Sequence, residues 1–364
     1  MAFPWAVSSA TRREELASAS REQARWRKKP APRRKRRQWR HGPPALPWTV
    51  RLQIFGLVTA TDIAQRADGM VNRFVFSLAD RQAYASACPD RLGVVSADIA
   101  AEPSAAIPVP LVVYVHGGDV ALFSAASAPY DAMYHRFCRE LGAVVMFVNY
   151  RLAPEHRYPT AYDDRTDVLW FLVNGGLPDG ELAVSVDLSR CFLTVDSASG
   201  NIVHHMARRW TVAGTAFGDL VAVRIAGIIL LQPYFGGEEG TAAELRLEGV
   251  APVVNIRRSN WSWRAFHPEG ATRDHPAAHV TVTEPELGEA FPPALVVIDG
   301  LDPLQDWQRR YAEMPRQEGK YVQVVEFTES IHAFYIFPEF TNTRKVVKRI
   351  KAFMDENYVE FDSL

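Results

Sequence analysis

Apolar residues along this chain fall into short unbroken runs that alternate with stretches of helical spacing. Residues 111–115 (Leu-Val-Val-Tyr-Val) form one such run, the pattern of a strand buried on both faces. Comparable runs lie at 143–148, 191–195, 224–232, 294–299 and 321–326. Between them, apolar residues three and four apart predict helices over 127–141, 160–174, 198–210, 303–318 and 341–357. Strands alternating with helices predict an α/β fold: a mostly parallel central sheet with helices on both faces. Upstream, Val50, Ile54, Leu57 and Val58 predict a helix over 49–66, continued only weakly by Ala64, and Val71–Ser77 reads as a short strand.

In a parallel sheet, chemistry collects beyond the C-terminal ends of the strands. The run at 111–115 is followed by His116, Gly117, Gly118 and Asp119. The run at 191–195 leads into Asp196, Ser197, Ala198 and Ser199, the run at 294–299 into Asp302, and the last run into Ile331 and His332. Ser, Asp and His thus lie at strand ends in that chain order, the order of the catalytic triad in α/β hydrolases. A Ser197 hydroxyl is a weak nucleophile and needs a base. His332 would take its proton, and Asp302 would orient the imidazole and stabilise its cation. Gly117, Gly118 and Ala198 would present N–H groups to the oxyanion. Each residue also has a plainer role open to it. Ser197 and Asp302 can be helix caps, and Asp306 rivals Asp302 as the carboxylate. His204 and His205 read as helix-face residues, and Asp163 and Asp164 as a helix-start pair. His267, His275 and His279 have the spacing of no standard metal site. The aromatics Trp261, Trp263, Phe266, Tyr335 and Phe337 read equally as pocket lining or core.

Several of these segments resemble a known family. His116-Gly117-Gly118, the run Asn149-Tyr150-Arg151-Leu152-Ala153-Pro154-Glu155, Tyr158-Pro159 with Ala161-Tyr162-Asp163-Asp164, and Asp196-Ser197-Ala198 resemble the hormone-sensitive-lipase-like branch of the α/β hydrolases. Ser127, Tyr130-Asp131, the Gly300–Gln308 run and Ile331-His332-Ala333-Phe334-Tyr335 narrow the resemblance to plant carboxylesterases, relatives of the gibberellin receptor. The resemblance spans about residues 45–364. It implies an α/β-hydrolase fold in which residues 48–78 cover the pocket as a lid. It implies a carboxylic ester hydrolase with Ser197, Asp302 and His332 as triad and Asp119, Tyr130, Asp196 and Tyr335 on the substrate. The receptor lacks the catalytic histidine that this chain keeps as His332, which favours the esterase. A receptor-like protein that binds a small molecule without turnover is the alternative.

Three departures from the family pattern bear on that choice. Asp119 stands where the family has a third glycine or a serine. A carboxylate about 4 Å from a developing oxyanion costs roughly 4 kcal/mol at an effective dielectric near 20, about three decades of rate, unless it points to solvent or holds a proton. The Gly-x-Ser-x-Gly elbow reads Val195-Asp196-Ser197-Ala198-Ser199, so a β-branched side chain must fit where the family has a hydrogen, at roughly 1–3 kcal/mol of overpacking. After Val94–Ile99, residues 101–106 read Ala-Glu-Pro-Ser-Ala-Ala where the family has a further strand, so an edge strand is expected to be missing.

Charge sharpens the domain picture. The 364 residues sum to −1, yet residues 1–40 hold 13 of the 41 Lys and Arg and 3 of the 42 Asp and Glu. That leaves a tail at +10 on a body at −11. The tail and its proline-rich linker end at Pro47. Its two basic clusters, at 25–29 and 33–37, resemble a nuclear-import signal or a nucleic-acid arm, and read equally as a solvated tail. The acidic body argues against nucleic acid as its partner. Three widely spaced cysteines suggest neither a disulfide framework nor a zinc site, and no 18-residue apolar run predicts a membrane span. With no secretory-type leader, a cytoplasmic or nuclear location is expected. No cofactor is implied. The expected partner is a small-molecule ester or hormone-like ligand.

Overall fold

The six apolar runs pair side by side. In the computed structural model, which describes residues 44–84, 108–175, 177, 185–217, 223–279 and 287–357, they become β1 (Val109–Val115), β2 (Val144–Val148), β3 (Val186–Asp196), β4 (Ile225–Leu231), β5 (Ala294–Asp299) and β6 (Val322–Phe327). They form one sheet in the order β2-β1-β3-β4-β5-β6, with every pairing parallel. Alternate strand residues feed two cores. Val113, Val115, Leu193, Val195, Leu230 and Val296 pack on one face, and Val112, Tyr114, Phe192, Ile229, Leu231 and Leu295 on the other. Both faces are dry, which is why the runs show no polar alternation. Each fully buried aliphatic side chain contributes about 1.5–3 kcal/mol.

The helices are α1 (Trp48–Ala64), α2 (Arg73–Ala79), α3 (Ala128–Leu141), α4 (Thr160–Val173), α5 (Gly200–Phe217), α6 (Ala242–Leu247), α7 (Ile256–Phe266), α8 (Gln305–Gln317) and α9 (Thr341–Glu356). Among the described residues no helix is long and apolar enough to cross a membrane. The strand expected over Val71–Ser77 is instead helix α2. Asn72 accepts a hydrogen bond from the Val75 N–H at 3.1 Å and caps it. Among the described residues Val71 makes a single bridge, to Gln65, and this segment joins no sheet. The basic tail and the edge-strand gap after Val94–Ile99 lie outside the described residues.

Chain order places the site. From β1 the chain steps out to β2 and returns to β3 on the other side of β1, so the loops after β1 and β3 part and leave a crevice at the C-terminal ends. Helices α1 and α2 cross near that crevice and are tied down by side chains from below. The Arg258 guanidinium of α7 donates to the Val58 carbonyl at 2.7 Å, to Thr61 Oγ1 at 2.8 Å and to Asp62 Oδ1 at 2.8 Å. Trp261 Nε1 donates to the Arg66 carbonyl at 2.9 Å. Arg73 of α2 reaches back to Glu155 and to the carbonyls of Ala121 and Ala153.

At the exit of β5, a Cβ on Gly300 would lie 2.1 Å from the Thr328 carbonyl oxygen, whereas one on Gly56 in α1 would meet nothing within 4 Å. Gly300→Ala is therefore expected to destabilise the fold by about 3 kcal/mol. Gly56→Ala is expected to be neutral or stabilising by up to about 1 kcal/mol. Thermal denaturation of both variants checks this, and equal Tm values would contradict it.

Candidate active site

Ser197 follows the last residue of β3 with φ +49°, a left-handed conformation that turns strand into helix within one residue and lifts the hydroxyl clear of the backbone. Valine at 195 does not prevent this turn: its side chain is fully buried in the core beneath the elbow. The close approach falls instead on Gly200, whose Cβ would sit 2.4 Å from that of Pro233. Ser199 is absorbed as well, its hydroxyl donating to the His116 carbonyl.

The loop after β6 brings His332 to Ser197, with Nε2 2.8 Å from Oγ and Nδ1 2.8 Å from Asp302 Oδ2. Asp302 is fully buried. Its Oδ1 accepts the Leu304 N–H at 2.9 Å and its Oδ2 the Gln308 amide at 2.8 Å. The rival Asp306 is engaged elsewhere, accepting the Ala243 N–H at 2.8 Å. Gln232, at the exit of β4, brackets the histidine: its amide donates to the Ile331 carbonyl and its oxygen accepts the Ala333 N–H. Burial disfavours the His332 cation, but Asp302's charge and hydrogen bond, with Asp196 and Asp119 behind them, lift it above the ordinary histidine value. Asp299 is a second carboxyl in this corner. It is fully buried, has no hydrogen-bond partner for either oxygen among the described residues, and is pushed well above the usual carboxylate range by burial and by the charge of Asp302.

Asp196 was expected to touch substrate. Its carboxylate is instead consumed by Tyr114 Oη at 3.0 Å, Tyr130 Oη at 2.9 Å, Tyr335 Oη at 3.1 Å and the Gly117 N–H at 2.7 Å. This corrects the readings of Gly117 and Tyr335 and narrows those of Asp196 and Tyr130. Gly117 is not free to donate to an oxyanion. Tyr130 borders the cavity but spends its hydroxyl on Asp196. Tyr335 is wholly buried and does not line the cavity. The Gly118 and Ala198 N–H groups have no protein acceptor among the described residues. Gly118 has φ +100°, and a Cβ there would lie 2.5 Å from the Leu122 carbonyl oxygen. Asp119 and Val120 continue in the left-handed region, at φ 59° and 58°, a strain of about 1–3 kcal/mol for a β-branched residue. The Asn149–Glu155 run buttresses this loop: Tyr150 Oη donates to the His116 carbonyl at 3.1 Å, and Asn149 accepts the Ala125 N–H at 2.8 Å. His116 stacks on Tyr150 at 4.5 Å between ring centres, and burial holds its imidazole neutral, down to about 3.

A cavity of about 750 Å³ opens over Ser197 and His332. Ile54, Leu57 and Val58 of α1, with Phe76, Leu122 and Phe337, give it apolar walls. Asp119 lines it too. Burial raises the Asp119 carboxyl above its ordinary value, while Arg258, His332 and the Ser262 hydroxyl draw it back. Of the aromatics named as pocket or core, only Phe337 lines this space. Trp263 stacks on Tyr234 at 4.5 Å and on His267 at 5.1 Å. Asp163 and Asp164 pair with Arg209 and Arg151, and His204 meets Tyr311 Oη. Sequence reasoning gave no role to Tyr114, Gln232 and Arg258, whose partners lie far along the chain, nor to Asp299 and Gln308, which act on the nearby Asp302 but whose orientation toward it is not written in the local pattern.

Known proteins resemble this chain in sequence and fold. A profile of the alpha/beta hydrolase fold matches residues 112–336. A gibberellin receptor of Arabidopsis thaliana is 36% identical over 324 residues, 81% of this chain and 90% of the receptor. A probable carboxylesterase of the same plant is 35% identical over 257 residues, 68% of this chain and 76% of its own. Among solved structures, an esterase of Pyrobaculum calidifontis superposes with a TM-score of 0.58 at 28% identity, over 68% of this chain and 77% of its own. The chain therefore belongs to the α/β-hydrolase family, in the branch that holds the plant carboxylesterases and the gibberellin receptors.

Proposed function

We propose that this protein is a serine carboxylic ester hydrolase acting on small, largely apolar esters. The observation that carries the reading is the unbroken Ser197–His332–Asp302 chain, with both links at 2.8 Å, at the base of an apolar-walled cavity. Neutral His332 takes the proton of Ser197 as Oγ attacks the ester carbonyl, and Asp302 stabilises the imidazolium. The Gly118 and Ala198 N–H groups meet the oxyanion; each such donor is worth about 2.7–4 kcal/mol. His332 then protonates the departing alkoxide, and water repeats the sequence to free the acid. With Gly117 tied to Asp196, this oxyanion hole works with two donors. The partner is a small-molecule ester, and the charge of −11 outside residues 1–40 argues against nucleic acid as a partner of that body.

Binding without turnover is the second reading. It is favoured by the receptor relative that spans 81% of the chain and by the carboxyl of Asp119 in the cavity. Two measurements decide. A fluorophosphonate is expected to label the wild type and not Ser197→Ala. Hydrolysis of p-nitrophenyl butyrate is expected to fall by about four orders of magnitude in that variant. Equal labelling and equal rates would overturn catalysis at Ser197 and leave the binding role.

The pH profile gives a further check. His332 works as a base only when neutral, and its value lies above the ordinary one for histidine. Activity is therefore expected to be lost as pH falls, with a midpoint above about 6.5. A kcat/KM profile whose acid limb lies below that value would contradict the arrangement.

A further inference from the structure

The cavity over Ser197 is apolar apart from a few charged groups, and these are unevenly satisfied. Asp196 is met by three tyrosine hydroxyls and a backbone N–H. Arg258 is bonded to Asp62, Thr61 and the carbonyls of Val58 and Val253, so its charge is already paired within the protein. Asp80 accepts from Ser127 and Gln82 through Oδ2, its Oδ1 being buried without a partner among the described residues, and Arg81 and Glu339 lie at the exposed rim. Asp119 differs. The Ser262 hydroxyl bonds to it, and Arg258 and His332 act on it through their charge. Its backbone, at φ 59° between Gly118 and the buried Val120, holds it on the cavity wall. Of the two carboxylates in this space with capacity left for a ligand, Asp80 and Asp119, it is the one whose charge acts on His332.

We propose that the cavity selects ligands whose polar group is neutral or cationic and rejects those that carry a carboxylate, with Asp119 as the residue that sets the choice. This rests on reading the cavity as the substrate pocket, but not on turnover. A hydroxyl or ammonium group on the ligand donates to Asp119. A ligand carboxylate meets a like charge between apolar walls, where Coulomb repulsion is screened least, and the paired Arg258 offers no compensating cation. Rejection by a misplaced like charge is a common source of specificity. The substrate class is thereby narrowed to esters with a hydroxyl, amino or wholly apolar remainder, as opposed to half-esters of dicarboxylic acids.

Isothermal titration of the full chain at pH 8 with 4-phenylbutanol, 4-phenylbutylamine and 4-phenylbutyrate tests this. The three probes share one shape and differ in charge. In the wild type the carboxylate is expected to bind at least about tenfold more weakly than the alcohol, and the amine at least as well as the alcohol. In Asp119→Asn and in Asp119→Ser, either of which suffices should the other not fold, the gap between carboxylate and alcohol is expected to shrink to about threefold or less. Carboxylate binding as tight as alcohol binding in the wild type would overturn the proposal. So would an unchanged gap in the variants, or no binding of any of the three. Because this readout needs no hydrolysis, its failure is distinct from failure of Ser197 labelling, which would sink the esterase reading alone.

Discussion

The buried carboxylate of Asp196 is the constraint around which the site is arranged. An unpaired carboxylate this deep would cost several kcal/mol and would take up a proton instead. Burial pushes Asp196 upward, and the hydroxyls of Tyr130, Tyr114 and Tyr335 with the Gly117 N–H pull it back. Those donors come from α3, from β1, from the turn after His332 and from the loop after β1. One carboxylate therefore fixes the relative positions of four segments, and it does so from the residue next to Ser197. Gly117 has no Cβ because one would lie 2.7 Å from the Asp196 carboxylate. The side that gains in rigidity loses an oxyanion donor, since a backbone N–H cannot serve both.

Around that anchor the backbone is held in conformations it would not choose. Asp119, Val120, Phe123, Ser197, Gln232 and Ala333 all have positive φ, and all lie in the loops at the C-terminal edge of the sheet. Each costs of order 1–3 kcal/mol and persists because its surroundings over-determine it. Tyr150 and Asn149 brace the loop after β1 from outside. Gln232 grips both sides of His332. Strain concentrated here, and not spread through the strands, fits a scaffold whose regular part is stable enough to support it.

This division explains what could be read from the sequence. The strands were legible because both faces of the sheet are dry, which turns each strand into an unbroken apolar run. Ser197, Asp302 and His332 were legible because each stands at the end of such a run, and the structure brings them together. Where information is local but brief, the reading failed. At 71–77 the four apolar residues among seven suggested a strand, and the cap from Asn72 outweighed them. Where it is non-local, nothing in the chain announced it. Tyr114 looks like one more core residue in β1 until Asp196, 82 positions away, is placed beside its hydroxyl. Tyr335 and Gly117 were assigned to substrate and oxyanion because the shared carboxylate that claims them is invisible along the chain.

The same logic sorts the residues that depart from the family pattern. Val195 and Ser199 sit on the inner side of the elbow, where the core and the His116 carbonyl absorb them, and Ser197 keeps its left-handed turn and its contact with His332. Their effect is spent on packing. Asp119 sits on the outer side, where no cation among the described residues is bonded to it and the cavity begins. A change absorbed by the core alters stability, whereas a change facing the cavity alters what can enter it. The divergence of this chain therefore falls on recognition more than on the geometry of the Ser197–His332–Asp302 chain, and the carboxyl of Asp119 is where the two meet, since its charge acts on His332 as well as on whatever occupies the pocket.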